Sequence, residues 1–275
     1  MESISASVRY WLVEHPLVSG FEWIEGETFG SSPKFLLTTV ATYLSLTYIL
    51  SITLLSPKPP VKTPSKTLTI LRSISAIHNL ILLALSFIMA LGATLATTTK
   101  MPSKQWICFP ANKTRSQGPL FFWAYVFYLS KILEYVDTLL IILHNDARRL
   151  TFLHVYHHTV VTIMCYLWLH TTQSLLPLGI VTNATVHTVM YAYYFMCTLG
   201  KRPSWKRLVT DFQIIQFWFG LGISTLMLWF HFTGTGCSGI WGWGFSYVFN
   251  ASLLALFSAF HANNYANKDK DKKLV

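Results

Sequence analysis

Residues 152–169 read FLHVYHHTVVTIMCYLWL, an apolar run about as long as a membrane crossing, with three histidines near its start. His154, His157 and His158 stand at i, i+3 and i+4 and share one face of a helix. Imidazole is costly in hydrocarbon, so such residues face a bundle interior or a water-filled cavity. The histidine face is therefore a candidate functional site, and the surrounding sequence shows what it faces.

Of the 275 residues, 52% are hydrophobic and 12% charged, about half the charge of a soluble domain. The apolar content falls in seven blocks: 35–55, 74–96, 120–143, 152–169, 175–199, 209–232 and 240–260. Each is near the length that crosses a hydrocarbon core of about 30 Å. The predicted class is an all-α membrane protein with seven transmembrane helices. Three parts are expected: a lumenal segment over 1–34, a seven-span membrane domain over 35–261, and a cytosolic basic tail over 262–275.

The formal charge of +10 raises nucleic acid as a partner, but its placement argues against it. Fourteen of the 21 lysines and arginines fall on one side of an alternating topology: Lys58, Lys62, Lys66, Arg72, Arg148, Arg149, Lys201, Arg202, Lys206, Arg207, Lys268, Lys270, Lys272 and Lys273. The positive-inside rule places that side in the cytosol, with the N-terminus lumenal. The segment from Lys100 to Arg115 is the exception. Lys272 and Lys273 near the end resemble a dilysine retrieval signal for the endoplasmic reticulum, with a basic tail touching anionic lipid as the alternative. Cys108 and Cys237 fall in different lumenal loops, where an oxidising compartment permits a disulfide. Asn112-Lys113-Thr114 is a lumenal glycosylation sequon.

The spans carry an unusual polar load. Lys131, Glu134 and Asp137 lie in the third. A charged residue costs roughly 2.5–3.5 kcal/mol at a helix centre on insertion scales, so pairing or function is expected. The fifth span holds Asn183, and His187, Met190, Tyr191 and Tyr194 form one stripe on it. The sixth holds Thr210, Asp211, Gln213 and Gln216. Counting about 1.5 Å per residue from the span ends puts most of these groups within roughly 3–18 Å of the cytosolic face. They can converge on one pocket, open to the cytosol and continued by an apolar channel, which suits an amphiphile with a soluble head.

Three chemistries compete. A metal centre is disfavoured, because adjacent His157 and His158 diverge by about 100° on a helix and no second histidine box exists. A transporter or receptor explains the cavity but not the titratable layer. Organic catalysis by imidazole as base or nucleophile explains both.

Four motifs now stand in order: Lys131-x-x-Glu134-x-x-Asp137-Thr138; His154-Val155-Tyr156-His157-His158; Asn183-x-x-x-His187-x-x-Met190-Tyr191-x-Tyr193-Tyr194; and Thr210-x-x-Gln213-x-x-Gln216. Together they resemble the ELO family of fatty acid elongases, with Arg148–His158 most similar to plant members. The resemblance implies a 3-oxoacyl-CoA synthase of the endoplasmic reticulum that condenses malonyl-CoA with a long-chain acyl-CoA. Six helices are expected around a long acyl tunnel, with one outside. No metal or cofactor is expected. Membrane lipid, the reductases and dehydratase of the elongation cycle, and further copies of the chain are the expected partners. The resemblance assigns His157 as nucleophile, through an acyl-imidazole, and His154, His158 and His187 as its catalytic companions. Lys131, Glu134, Asp137, Asn183, Tyr191, Tyr194, Gln213 and Gln216 are the expected substrate-binding residues.

Overall fold

The computed structural model describes residues 2–55, 66–111 and 113–266. Lys58, Lys62, Asn112 and the tail with Lys268, Lys270, Lys272 and Lys273 lie outside them. The described residues form no β-strand. Their helices are α1 (Glu2–Arg9), α2 (Pro16–Ser19), α3 (Pro33–Leu54), α4 (Lys66–Lys100), α5 (Pro119–Leu133), α6 (Tyr135–Leu143), α7 (Phe152–His170), α8 (Leu176–Thr198), α9 (Lys206–Thr233) and α10 (Ile240–His261).

Local chemistry sets the helix starts. Ser32 accepts a hydrogen bond from the Phe35 N–H, and Pro33 supplies the φ of the first turn of α3. Thr151 caps α7 by accepting from the His154 N–H at 3.2 Å, which orients the turn carrying the first histidine. The segment expected as one span over 120–143 is interrupted at Glu134, between α5 and α6. There the Asp137 N–H bonds the Glu134 carbonyl three residues back, a tighter turn than the α-helix.

The packing closes on itself. α4 lies along α8, α8 against α9, α9 against α10, α10 against α7, α7 against α5, and α5 against α4. α3 stands apart, touching α6 and α7. Four helical stretches, Pro33–Leu54, Lys66–Lys100, Lys206–Thr233 and Ile240–Asn264, are long and apolar enough to cross a membrane. The outward faces are apolar: Ile52 is 64% exposed, Trp218 64% and Trp241 88%, while Lys131 and Glu134 are 1% exposed. That is the reverse of a water-soluble bundle.

One end of the bundle is covered by the N-terminal segment and the inter-helix loops. Trp123 donates through Nε1 to the Leu12 carbonyl, Tyr128 to the Gly30 carbonyl, and the Trp23 N–H to the Ser116 carbonyl. Val13 is fully buried beneath this layer. A disulfide joins Cys108 to Cys237, with Cα atoms 5.0 Å apart. It staples the loop after α4 to the loop after α9, and the Ser238 N–H donates to the Phe109 carbonyl beside it.

Candidate functional site

The break at Glu134 aims its carboxylate into the bundle. Lys131 Nζ donates to Glu134 Oε1 at 2.7 Å and to Asn183 Oδ1 at 3.3 Å, and lies 4.4 Å from the centre of the Phe127 ring. His187 Nδ1 stands 3.4 Å from Glu134 Oε1 and 3.5 Å from Lys131 Nζ. A protonated Nδ1 donates to the carboxylate; a bare one accepts from the ammonium. Either tautomer fixes the His187 ring in place.

Asp137 does not join that pair. Its Oδ2 accepts from the Tyr191 hydroxyl at 2.8 Å, and its Oδ1 lies 3.2 Å from His78 Nε2. The imidazole facing Asp137 comes from His78, a residue of α4. A third chain runs from α3 inward: the Tyr43 hydroxyl meets Thr138 Oγ1 at 3.0 Å, which meets His154 Nε2 at 2.9 Å.

The histidines form a contiguous set. His154 and His158 rings are 4.4 Å apart, His157 and His158 5.3 Å, and His157 and His187 6.4 Å. His158 is buried and its Nδ1 has no hydrogen-bond partner among the described residues. Among those residues no group of three His, Cys, Asp or Glu side chains is arranged to hold a metal ion.

Beside this set lies a cavity of about 100 Å³. His157, Asn183 and Gln216 sit at one end; Met164, Trp168, Leu178, Phe217 and Ile223 line its length, and Gln173 and Leu175 belong to the other end of α7 and α8. From His157 to Trp168 the helix rises about 16 Å. Of the four candidate histidines, His157 borders the cavity; His154, His158 and His187 stand behind it.

Other expected binding residues are placed elsewhere. Gln213 donates to Met190 Sδ at 3.5 Å and does not line the cavity. Tyr194 packs beneath the Arg149 guanidinium, 5.6 Å from ring centre to Cζ. Conversely, α10 contributes Phe249 and Asn250 to the wall, neither of which the sequence singled out as a site residue. Asn250 was legible only as a polar residue in an apolar span; its Nδ2 donates to the Phe217 carbonyl across the α9–α10 contact. His78 carried a similar signal, a lone imidazole inside the second apolar block.

The architecture and the four polar motifs define a class, and comparison with known proteins agrees. The profile of the ELO family, described as GNS1/SUR4, matches residues 28–273, and the chain belongs to that family. It is similar to fatty acid elongase 3-like of Arabidopsis thaliana, 30% identical over 275 residues that cover 94% of this chain and 92% of that one. Fatty acid elongase A of Dictyostelium discoideum is 32% identical over 266 residues, covering 93% and 92%. Very long chain fatty acid elongase 4 of Trypanosoma cruzi is 36% identical over a shorter stretch of 115 residues, 40% of this chain and 38% of its own.

Proposed function

We propose that this protein acts in fatty acid elongation as the condensing enzyme, a 3-oxoacyl-CoA synthase of the endoplasmic reticulum membrane with a lumenal N-terminus and a cytosolic C-terminus. Family membership and the named elongases support the coarse role. The single observation that carries the chemistry is His157 at the wall of an elongated, largely apolar cavity, with Asn183 and Gln216 beside it.

The acyl chain lies along the cavity, with its thioester at His157. A ring nitrogen of His157 attacks the thioester carbonyl. The C–S bond breaks, and CoA leaves with the proton that the ring gives up. Malonyl-CoA then loses CO2, and the electron pair of that bond becomes an enolate. The enolate carbon attacks the held acyl carbon, the C–N bond breaks with its electron pair returning to the ring, which takes up a proton from solvent, and a 3-oxoacyl-CoA two carbons longer departs. His187, fixed by Glu134 and Lys131, and His158, with Nδ1 unengaged, are placed to move protons and hold the enolate oxygen. Asn183 and Gln216 orient the thioester. No metal or cofactor enters these steps. The 3-oxo product requires a reduction, a dehydration and a second reduction to restore a saturated chain.

The test is His157→Ala in purified protein, assayed for malonyl-CoA-dependent condensation and for CoA release from acyl-CoA alone. Both are expected to fall at least about 100-fold, as for loss of a nucleophile. Near-normal condensation would overturn the assignment of His157. A natural enzyme that releases no CoA until malonyl-CoA is added would show that no acyl-imidazole forms.

A further inference from the structure

The end of the cavity remote from His157 is not wholly apolar. Gln173 lines it, is 1% exposed, and has a side-chain Oε1 with no hydrogen-bond partner among the described residues. Its neighbours are satisfied internally. Ser246 Oγ accepts from Trp168 Nε1 and donates to the Gly242 carbonyl, each at 2.8 Å, and Thr182 donates to the Leu178 carbonyl.

The placement of Gln173 is enforced by the turn that follows α7. Thr172 has φ +50°, a left-handed conformation that a β-branched residue rarely adopts. Its hydroxyl is pinned to Ser116 Oγ at 2.8 Å, and the Gln173 N–H bonds the Trp168 carbonyl at 2.9 Å. Gly239 presses on the other side: a Cβ there would stand 2.5 Å from the Gln173 Cα. The backbone of Gln173 is therefore held at the cavity end from both sides.

A buried amide oxygen without a partner is destabilising, and a ligand that completes it is favoured. We infer that Gln173 reads the far end of the acyl chain, and that the cavity takes acyl-CoA primers ending in a hydroxyl group in preference to primers ending in a methyl group. This rests on the proposed condensation with the thioester at His157. A hydroxyl both donates and accepts, so it pairs with the amide whichever way the oxygen and nitrogen are turned. A terminal carboxylate does not fit, because no cationic side chain lines the cavity among the described residues. The preference appears only at the chain length that brings the terminal carbon to Gln173.

The experiment is condensation by the unmodified protein on a ladder of saturated primers, each chain length supplied in a methyl-ended and a terminally hydroxylated form. Shorter primers are expected to favour the methyl form or show no difference. At one length or two adjacent ones the hydroxylated form should be extended about fivefold to tenfold faster, as for one added buried hydrogen bond. Gln173→Met, close in volume and unable to bond, should extend the two forms at equal rates at that length. Equal rates for the two forms at every length overturn the inference while leaving the condensation intact. So does a preference that survives in Gln173→Met. Product from none of the primers overturns the condensation, and this inference with it. Should Gln173→Met fail to fold, the length dependence in the unmodified protein decides alone.

Discussion

Lys131 and Glu134 are 1% exposed and bonded to each other at 2.7 Å, so the two charges stand or fall together. Glu134→Gln leaves an ammonium in a dry interior and is expected to cost about 3–5 kcal/mol, as when one member of a buried pair is removed. The double variant Lys131→Met with Glu134→Gln removes both charges and should recover much of that loss. Thermal unfolding of the detergent-solubilised proteins checks the order: unmodified above double above single. Equal destabilisation by the single and double variants would mean that the charges act independently. By contrast, Arg9 and Glu14, with side chains 51% and 39% exposed, form a bridge that contributes about 0–1 kcal/mol. At this scale the sequence showed which residues could not be in the membrane without a reason, but not with whom each would pair. The i, i+3 spacing alone brings Lys131 within reach of Glu134, because Glu134 caps the helix that carries Lys131. The Asp137–His78 and Asn183–Lys131 meetings cross between helices, and no spacing along one chain segment encodes them.

Gly179 on α8 exists where the indole of Trp168 on α7 crosses: a Cβ there would stand 2.5 Å from Trp168 Cη2. The indole has little room to step aside, being hydrogen-bonded to Ser246 at 2.8 Å and stacked on Phe127 with centroids 6.2 Å apart. Both residues line the cavity. Gly179→Ala should therefore push the ring into the acyl path, shorten the longest product by one or two elongation rounds, and cost about 1–3 kcal/mol through overpacking. Gas chromatography of the fatty acids made in microsomes reads the length. An unchanged product distribution would mean that the chain does not occupy this cavity. The glycine was invisible as a packing feature in the sequence, since its role depends on a side chain from another helix. The helices themselves were more legible. Each expected block coincides with a helix or, for 120–143, with two, because long apolar runs have few alternatives in a membrane. The interruption at Glu134 was not, because a turn tightened by one backbone bond leaves no mark on hydropathy.

Across the whole molecule, the histidine set and the end stapled by Cys108–Cys237 lie at opposite ends of the cavity, and the forces on them differ. Polar pairing within the ring of helices organises the first. The second is held by loops, by the N-terminal segment and by a covalent bond closing 129 residues of separation. In a free chain, a loop of that size gives about 5 kcal/mol of entropic stabilisation. Helices confined to a bilayer cannot explore the same volume when unfolded, so the gain here is smaller. It is confined to the covering loops, where Phe109 is fully buried and Ser174 accepts its N–H at 3.1 Å. The double variant Cys108→Ser with Cys237→Ser is therefore expected to lower the melting temperature of the solubilised protein by several degrees. Condensation of short primers at low temperature should persist, because their chains stop short of the stapled end and His157 is undisturbed. Long primers, which in the proposed binding mode reach Gln173 and Leu175, should lose more. Melting curves with and without the bridge, set beside rates for a short and a long primer, separate the two effects. An equal loss for both primers would mean that the staple supports the histidine end as well, and that the two ends are mechanically one.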